Sequence, residues 1–381
     1  MKTEKLYYKD AYIKDFTATV LTCEPHERGY AVVLDRTAFF PQEGGQSADT
    51  GKIENIEVYD VQEVSGIIYH YTREPLSVGA CVRCEINFAE RFEKMQCHTA
   101  EHILSGILHS EYGVENTGFH LGHEDITFDT SSEMTREELA SVERLANIAV
   151  QRNLPVVTLF PTPEELSQLT YRSKLELTED VRIVNIGDVD SCACCAPHVA
   201  YTGEIGMIRL VDSVKHKGGS RIRMLAGMRA YNYVTAVMRE ASAVSVALSA
   251  PMTEISDALN NLTSKKDALS AQLSQMGRDM AQLLADAVEP TNGSLAVYYP
   301  MLDTDALRSF VNSAAKRVGG TLVVLAGSEG NYKYILHDSS ENFAERVKTA
   351  NAALGGKGGG RAPMAQGSYT APLDAILEYF K

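Results

Sequence analysis

Two short segments, far apart in the chain, carry side chains suited to one metal ion. His98 and His102 are separated by four positions, and so are Cys194 and His198 in the second segment. Residues i and i+4 share one face of a helix, so the first two imidazoles can reach a single ion. One thiol with three imidazoles suits zinc. The chain is therefore predicted to fold so that both segments meet at one zinc ion.

Spacing alone does not decide which thiol completes this set. Cys192 and Cys195 lie beside Cys194 and could compete for the ion. Cys81 and Cys84 form another closely spaced pair, but they lie in a strand-like stretch. Because side chains alternate along a strand, a separation of three points these two thiols to opposite faces.

The residues around His98 also match a different kind of zinc site. His98-Thr99-Ala100-Glu101-His102 fits an inverted protease motif in which the glutamate is the general base. Such an HxxEH metalloprotease requires an acidic third ligand and an open coordination position. The downstream cysteine and histidine offer a different completion of the site.

Composition excludes several classes of protein. The chain has 381 residues, is 44% hydrophobic and 23% charged, and contains 7 cysteines, four of which cluster near histidines. These values indicate a globular protein with reduced thiols rather than a disulfide framework. A net charge of -14 argues against a general nucleic-acid binder, although a local basic surface could still bind RNA. No apolar stretch approaches the roughly 20 residues that span a bilayer, and the polar start resembles no targeting signal, so a cytoplasmic protein with no membrane partner is expected.

Hydrophobic periodicity predicts an α+β multidomain fold in four parts. Residues 1–90 alternate as short strands and predict a small β-barrel domain that carries a glycine-rich motif. Residues 91–232 predict an α+β zinc-binding domain. Residues 233–290 predict a helical arm, and residues 291–381 predict a C-terminal α/β domain.

Some elements can be placed more closely. Apolar spacing predicts a helix over residues 91–112 that ends at Gly113, and a second helix over residues 133–153. In the helical arm, Pro251 and the Asn260-Asn261 pair are expected to mark a break. The glycines of residues 355–360 predict a loop.

Three motifs occur in a fixed order along the chain: residues 37–46, residues 98–102 and residues 194–206. Together they resemble the editing half of alanyl-tRNA synthetase and its free-standing relatives, the alanyl-tRNA editing proteins of the AlaX group, in their long form. Residues 355–367 are similar to part of the C-terminal domain of the same synthetase. The resemblance spans nearly the whole chain.

The resemblance implies a deacylase that hydrolyses tRNA for alanine mischarged with serine and, in several members, with glycine. It implies Zn²⁺ as the cofactor and selects Cys194, with His98, His102 and His198, as its ligands. It assigns the attack to a zinc-bound or substrate-positioned water, with no side-chain base. The barrel domain would close over the aminoacyl group, with the Thr37 hydroxyl as partner for a serine hydroxyl. The expected substrate-binding residues are Thr37, Gly44, Gly45 and Gln46.

The expected RNA partner needs basic residues, and two segments offer them. The resemblance further implies a homodimer formed through the helical arm and the C-terminal domain. His120 and His123 could line the substrate pocket or could be polar strand residues with no role in the chemistry. A non-catalytic, zinc-stabilised RNA-binding protein is the alternative function. The candidate tRNA-binding residues are Lys215, Lys217, Arg221, Arg223, Lys357 and Arg361.

Overall fold

The computed structural model describes residues 2–122, 126–173 and 181–381. The chain divides into two compact units, Met1–Glu240 and Ala241–Lys381. Each unit contains both helices and sheets, which confirms the predicted mixed α+β multidomain chain. Among the described residues, no helix combines the length and the apolar character that crossing a bilayer requires. The four predicted parts, with boundaries at 90, 232 and 290, stay predictions.

Eight strands precede the first helix of the first unit. Six of them are hydrogen-bonded in the order β2-β3-β7-β6-β5-β8, and β8 also pairs with β2, so the sheet closes on itself. Inward-pointing residues such as Val32, Val61 and Ile68 form the enclosed core. Cys81 is exposed and Cys84 is buried, which confirms their predicted opposite orientations. The strands are β1 (Glu4–Lys5), β2 (Asp15–His26), β3 (Gly29–Leu34), β4 (Arg36–Thr37), β5 (Gly51–Ile53), β6 (Ile56–Val64), β7 (Ile67–Thr72) and β8 (Cys81–Ile86).

A long helix, α1 (Phe88–Tyr112), lies in the core of the first unit. Between Arg91 and Leu108 only Phe92 and Glu93 are not fully buried, so polar and apolar faces are both covered by other elements. The helix ends because Gly113 adopts a left-handed conformation, with φ 64, and its N–H bonds to the carbonyls of the last turn. This confirms the helix predicted over residues 91–112, with a start three residues earlier.

Two small sheets pack around α1. One has the order β14-β15-β10-β9 and the other has the order β11-β12-β13. Helix α2 begins at Arg136 rather than at the predicted residue 133, because Thr135 and Glu138 form a capping box there. The remaining elements of this region are β9 (Asn116–Leu121), β10 (Ile126–Thr130), α2 (Arg136–Gln151), β11 (Val156–Leu159), α3 (Pro163–Leu166), β12 (Ile183–Ile186), β13 (Asp190–Ala193), β14 (Ile208–His216), β15 (Gly219–Ala226) and α4 (Gly227–Leu248).

The second unit contains a five-stranded sheet of order β16-β17-β18-β20-β19 and a 32-residue helix, α5. Helices α5 and α6 share a core with one face of this sheet. The other face packs against α7 and α8. The elements are α5 (Ile255–Asp286), β16 (Leu295–Tyr298), α6 (Thr304–Ala314), β17 (Leu322–Ser328), β18 (Asn331–His337), α7 (Phe343–Ala353), β19 (Lys357–Arg361), β20 (Met364–Tyr369) and α8 (Leu373–Tyr379).

Two local predictions for this region are corrected. The break between α4 and α5 contains Pro251, whereas α5 continues through Asn260 and Asn261, because asparagine lowers helix propensity only slightly and keeps its backbone N–H. The loop predicted for residues 355–360 is wrong, since Lys357–Arg361 form strand β19. Its residues pair in register with β20, which satisfies their backbone groups.

Candidate metal centre and active site

The four predicted ligands meet at one point in the first unit. One ligand atom from each of His98, His102, Cys194 and His198 lies within 4.8 Å of all the others. The Cys194 sulfur is 3.6 Å from His98 Nε2 and 3.4 Å from His198 Nε2. The three histidines are buried, with exposed fractions of 3 to 5%. Helix α1 supplies two of these side chains, and the segment after β13 supplies the other two.

Each imidazole is held by a hydrogen bond on the nitrogen that faces away from the cluster. His98 Nδ1 is 2.9 Å from Gln46 Oε1, and His102 Nδ1 is 2.9 Å from Asp190 Oδ2. His198 Nδ1 is 3.0 Å from Thr99 Oγ1. All three Nε2 atoms are therefore left to face a common point, which is the arrangement that metal-binding histidines require.

The bond from Thr99 also determines which His198 nitrogen carries the proton. The Thr99 hydroxyl has one proton and donates it to the carbonyl of Met95, at 2.8 Å. Towards His198 the same hydroxyl can only accept, so Nδ1 carries the proton and Nε2 keeps its lone pair. Burial lowers the pKa of His198 to about 3, which keeps this ring neutral.

The bond to His102 belongs to a buried ion pair. Arg172 Nε donates to Asp190 Oδ1 at 2.8 Å, and Arg172 Nη2 donates to Oδ2 at 3.0 Å. The contact depends on Gly106 of α1, where an added Cβ would lie 2.4 Å from the Val189 carbonyl oxygen and 2.9 Å from Asp190 Cβ. Only glycine lets the start of β13 approach the helix closely enough for Asp190 to reach His102.

A second arginine shapes the segment that carries Cys194. Arg182 Nη1 donates to the carbonyls of Cys194 and Ala196, at 2.7 and 2.9 Å, while the Cys194 N–H donates back to the Arg182 carbonyl at 3.0 Å. Burial opposes ionisation of the Cys194 thiol, but the three surrounding imidazoles outweigh it and hold the pKa of Cys194 well below its ordinary value. The geometry thus favours a thiolate, the form that binds metals.

The neighbouring thiols lie outside this four-atom group. Cys192 belongs to a different group of close ligand atoms, with His102 and Asp190. Cys195 lies towards the glycine turn, with its sulfur 3.5 Å from where a Cβ on Gly44 would be. Burial raises the pKa of both thiols. Cys194 is therefore the thiol that the geometry offers to the cluster.

This donor set fits zinc better than a harder ion. It consists of three imidazole nitrogens and one sulfur, whereas Ca²⁺ and Mg²⁺ prefer oxygen ligands. No carboxylate belongs to the four-atom group, so the acidic third ligand that an HxxEH protease requires is missing from it. The site is therefore a candidate metal centre with four nitrogen and sulfur ligands.

A cavity of 1160 Å³ opens beside the cluster. Its buried lining includes His98, His102 and Glu101, and Cys194 adds a partly buried sulfur. Its more exposed lining includes aromatic and basic side chains, among them Tyr8 and the 56% exposed Phe160. The metal centre is thus accessible to a ligand larger than water.

The comparisons with known proteins agree with this arrangement. Residues 181–224 match the family described as threonyl and alanyl tRNA synthetase second additional domain, residues 2–90 match class II (A) tRNA synthetases, and residues 292–381 match the DHHA1 domain. The chain is 28% identical to alanyl-tRNA editing protein AlaX-L of Pyrococcus horikoshii, over 98% of this chain and 96% of that protein. It is 27% identical to alanyl-tRNA editing protein Aarsd1 of Mus musculus, over 98% and 97% of the two chains. It is 37% identical to alanyl-tRNA editing protein AlaX-M of Methanosarcina mazei over 243 residues, which are 58% of this chain and 95% of that protein.

The chain belongs to the family of alanyl-tRNA editing proteins. This confirms the resemblance that the three ordered motifs predict.

In this editing protein the glycine motif supports the centre from the barrel side. Gly44 lines the cavity. Gly45 has a φ of +83, and an added Cβ would lie 2.4 Å from the Phe119 carbonyl oxygen, so the turn packs tightly against β9. The backbone bond from the Leu121 N–H to the Gly45 carbonyl fixes this contact and places Gln46 against His98. The motif thus connects the barrel to the metal centre.

Thr37 has a different position from the other predicted substrate-binding residues. It is fully buried and is not part of the cavity lining. His70 Nδ1 faces the Val32 carbonyl at 3.1 Å and must donate to it, so His70 Nε2 accepts from the Thr37 hydroxyl at 2.8 Å. The Thr37 oxygen also accepts from the Phe39 N–H. The predicted contact of this hydroxyl with a serine substrate stays a prediction and would require the hydroxyl to leave His70.

The buried His70 makes the stability of the barrel depend on pH. Burial lowers its pKa from 6.5 to about 4, so the unfolded chain takes up a proton before the folded one does. The stabilisation is complete above pH 6.5 and is lost as the pH falls towards 4, by about 3 kcal/mol at pH 4. In urea unfolding at pH 7 and pH 4, the free energy of unfolding of wild type is expected to fall by that much more than that of His70→Gln, whose amide does not titrate. Equal losses in the two proteins would contradict the prediction.

The predicted tRNA-binding residues fall on two hairpins, one in each unit. On β14 and β15, Arg221 pairs with Asp129, Arg223 with Asp212, and Lys215 with Glu133 just outside the hairpin. Lys217 lies in the tight turn of this hairpin, with φ 47. Lys357 and Arg361 lie on the exposed strand β19 and form no ion pair with any other described residue. The second hairpin therefore has the freer positive charge.

Several residues that support the centre carry no signal in the sequence. Asp190, Arg172 and Arg182 act through contacts with residues remote in sequence, such as the 88-residue separation between Asp190 and His102. The one available signal was Thr99, which lies inside the motif of residues 98–102. His120 is exposed on β9 and is not part of the cavity lining, and His123 lies outside the described residues.

Proposed function

We propose that this protein is a zinc-dependent trans-editing hydrolase that deacylates tRNA for alanine mischarged with serine, with glycine as a second mischarged substrate. As a member of the alanyl-tRNA editing family it is an aminoacyl-tRNA deacylase. The observation that carries the zinc-dependent mechanism is the buried group of three oriented imidazoles and one thiolate beside a cavity. These four side chains would hold the ion.

The reaction is the hydrolysis of an ester. Water adds to the ester carbonyl, the bond to the terminal ribose oxygen breaks, and free amino acid and tRNA are released. When bound, Zn²⁺ supplies positive charge that polarises a carbonyl oxygen. The protein supplies rigid positioning, because Gln46, Asp190 and Thr99 each fix one imidazole and Arg182 fixes the Cys194 backbone. No side chain is assigned as a base.

A separate hydrolytic enzyme is needed because synthetase pockets discriminate poorly between small side chains. Serine differs from alanine by one hydroxyl, and a pocket built for alanine cannot exclude glycine by size. Serine and glycine are therefore the expected mistakes. Gly44 lies in the cavity wall, which supports a contact between this glycine and the aminoacyl group.

The outer lining of the cavity suits the end of an RNA. The rings of Phe160 and Tyr8 are in contact, with centroids 5.8 Å apart. The guanidinium of Arg182 lies over the Tyr8 ring, with its Cζ 5.3 Å from the ring centroid. Aromatic and guanidinium groups stack on bases regardless of sequence. Further contacts with the tRNA are proposed at Lys357 and Arg361, and at the hairpin that carries Lys217, through backbone phosphates.

A deacylation assay with a chelator tests the function. Wild type is expected to release serine and glycine from tRNA for alanine faster than it releases alanine. Prolonged chelation should abolish the release, and added Zn²⁺ should restore it. A zinc-stabilised RNA-binding protein without catalysis would bind the tRNA and release no amino acid, with or without the metal.

We also propose that the protein forms a homodimer through α5. Its exposed apolar residues follow steps of three and four, as in a coiled-coil seam, and Lys266 occupies the one polar seam position. The opposite side of α5 buries Ala281 and Ala285 in the core shared with α6, so this seam is left for a second copy. The exposed seam residues are Leu259, Leu262, Leu269, Leu273, Met276, Met280 and Leu283, with exposed fractions of 51 to 72%.

Sedimentation equilibrium tests this dimer. Wild type is expected at twice the chain mass of 41.7 kDa, and Leu273→Glu is expected at the monomer mass, because a charge in the middle of the seam would be buried without a partner. Ser264→Glu, on the opposite side of the same helix, should leave the dimer intact. A monomeric wild type, or a dimer that survives Leu273→Glu, would contradict the proposal.

A further inference from the structure

Glu101 is a buried carboxylate that the proposed mechanism does not use. It lies on α1 between two of the metal-centre histidines, is 4% exposed and lines the cavity. A buried charge is costly unless hydrogen bonds or an opposite charge compensate it. The two oxygens of Glu101 differ in this respect.

One oxygen is fully engaged, and the other faces the cluster. Oε1 accepts from Ser105 Oγ at 2.7 Å and from Asn116 Nδ2. Oε2 accepts no hydrogen bond from the residues that the structure describes, and it lies 4.0 Å from His102 Nε2, the nitrogen that faces the metal centre. Ser105 and Asn116 therefore hold the carboxylate so that its second oxygen remains available beside the centre.

This oxygen is not a further ligand of the cluster. The group of mutually close ligand atoms contains His98, His102, Cys194 and His198 but not Glu101. The nearby cation Arg172 directs two of its nitrogens to Asp190. Glu101 is thus a fixed negative charge next to the place where an ester carbonyl would be bound.

The other described carboxylates of the cavity lining are less suitable for a buried cation. Glu63 is paired with Lys5 at 2.9 Å. Glu43 is exposed on the glycine turn. Among the described lining residues, Glu101 is the buried carboxylate that has one oxygen without a hydrogen bond.

From this geometry we infer that Glu101 Oε2 binds the α-ammonium group of the aminoacyl ester. The inference rests on the proposed function and names a specificity-determining residue for it. In an aminoacyl ester the ammonium is attached to the carbon next to the carbonyl, so a carbonyl bound at the centre brings the ammonium towards Oε2. The enzyme therefore selects esters with a free α-amino group and spares N-blocked or α-hydroxy esters. A charge-assisted hydrogen bond gives a preference of roughly 10- to 100-fold.

The test compares two esters of tRNA for alanine: the seryl ester, and the ester in which a hydroxyl replaces the α-ammonium. For wild type, kcat/KM is expected to favour the seryl ester by roughly 10- to 100-fold beyond the ratio of their uncatalysed hydrolysis rates. In Glu101→Gln this excess should fall to near one. An unchanged excess in the variant would overturn the inference. A wild type that hydrolyses neither ester would instead refute the proposed function.

Two further measurements separate substrate recognition from folding. Ser105→Ala removes one hydrogen bond to Oε1 but keeps the charge, so most of the preference should remain, and the zinc content of Glu101→Gln should equal that of wild type. In wild type alone, a non-hydrolysable serine amide of 3'-amino-3'-deoxyadenosine should bind more tightly than the same amide with a hydroxyl in place of the ammonium. Equal affinities for the two amides would overturn the inference without any variant.

Discussion

Cys194→Ala is expected to leave the protein nearly free of zinc and to lower seryl-tRNA deacylation by more than about 100-fold, because even the loss of a residue that only supports a ligand costs 10- to 100-fold. Cys194 is the one thiolate of the four-atom group, and its sulfur lies beside the Nε2 atoms of two histidines. Alanine leaves three imidazoles with no negatively charged ligand. Metal analysis of the purified variant and single-turnover deacylation measure the two effects.

The neighbouring cysteines provide matched controls. Cys195→Ala and Cys192→Ala each remove one thiol within two residues of Cys194, but neither sulfur belongs to the four-atom group. Both variants should keep a full equivalent of zinc, and tRNA affinity should be unchanged in all three. If Cys194→Ala kept its metal while Cys195→Ala or Cys192→Ala lost it, the assignment of the ligands would be wrong.

Asp49→Ala should lower the free energy of unfolding of the first unit by about 3 to 5 kcal/mol. Arg91 and Asp49 form a fully buried ion pair, with Arg91 Nε 3.0 and 2.9 Å from the two carboxylate oxygens. Arg91 also donates to the carbonyls of Ala11 and Ala38, and Asp49 accepts from the Phe40 N–H. Removal of the carboxylate leaves the guanidinium charge buried without its counter-ion. Urea unfolding followed by circular dichroism measures the loss.

An exposed ion pair is the control for this prediction. Asp188 pairs with Arg152 at 2.8 Å, but both side chains are largely exposed, so Asp188→Ala should change stability by less than about 1 kcal/mol. Replacing both Arg91 and Asp49 by apolar residues should recover much of the loss from Asp49→Ala, since no charge is then left unpaired. Similar stabilities for Asp49→Ala and Asp188→Ala would show that the buried pair does not hold the barrel to α1.

The ligands could be predicted from the sequence because their chemistry depends on local spacing. His98 and His102 share a helical face, and the apolar residues around them indicate that helix independently. The supporting contacts could not be predicted in this way. Whether Asp190 reaches His102 depends on the close approach that Gly106 allows, and no spacing rule connects residues 88 positions apart.

The same reason explains two details that the sequence did not show. The glycines of residues 355–360 indicate flexibility when read locally, but a partner strand, β20, orders them as β19. Thr37 lies in the predicted motif, yet its hydroxyl is directed to His70, whose place opposite it depends on how the barrel strands pair. In both cases tertiary contacts decide what composition leaves open.

The hydroxyl of Thr99 links the backbone of a helix to the protonation of a ring supplied by a residue 99 positions later. Because the Met95 carbonyl takes the only proton of that hydroxyl, the helical turn itself selects one tautomer of His198 and rejects the other. Serine could replace Thr99 without disturbing this selection. Valine has nearly the same shape as threonine but no hydroxyl, so either nitrogen of the His198 ring could then carry the proton. At this position the chain tolerates a change of size more readily than a change of polarity.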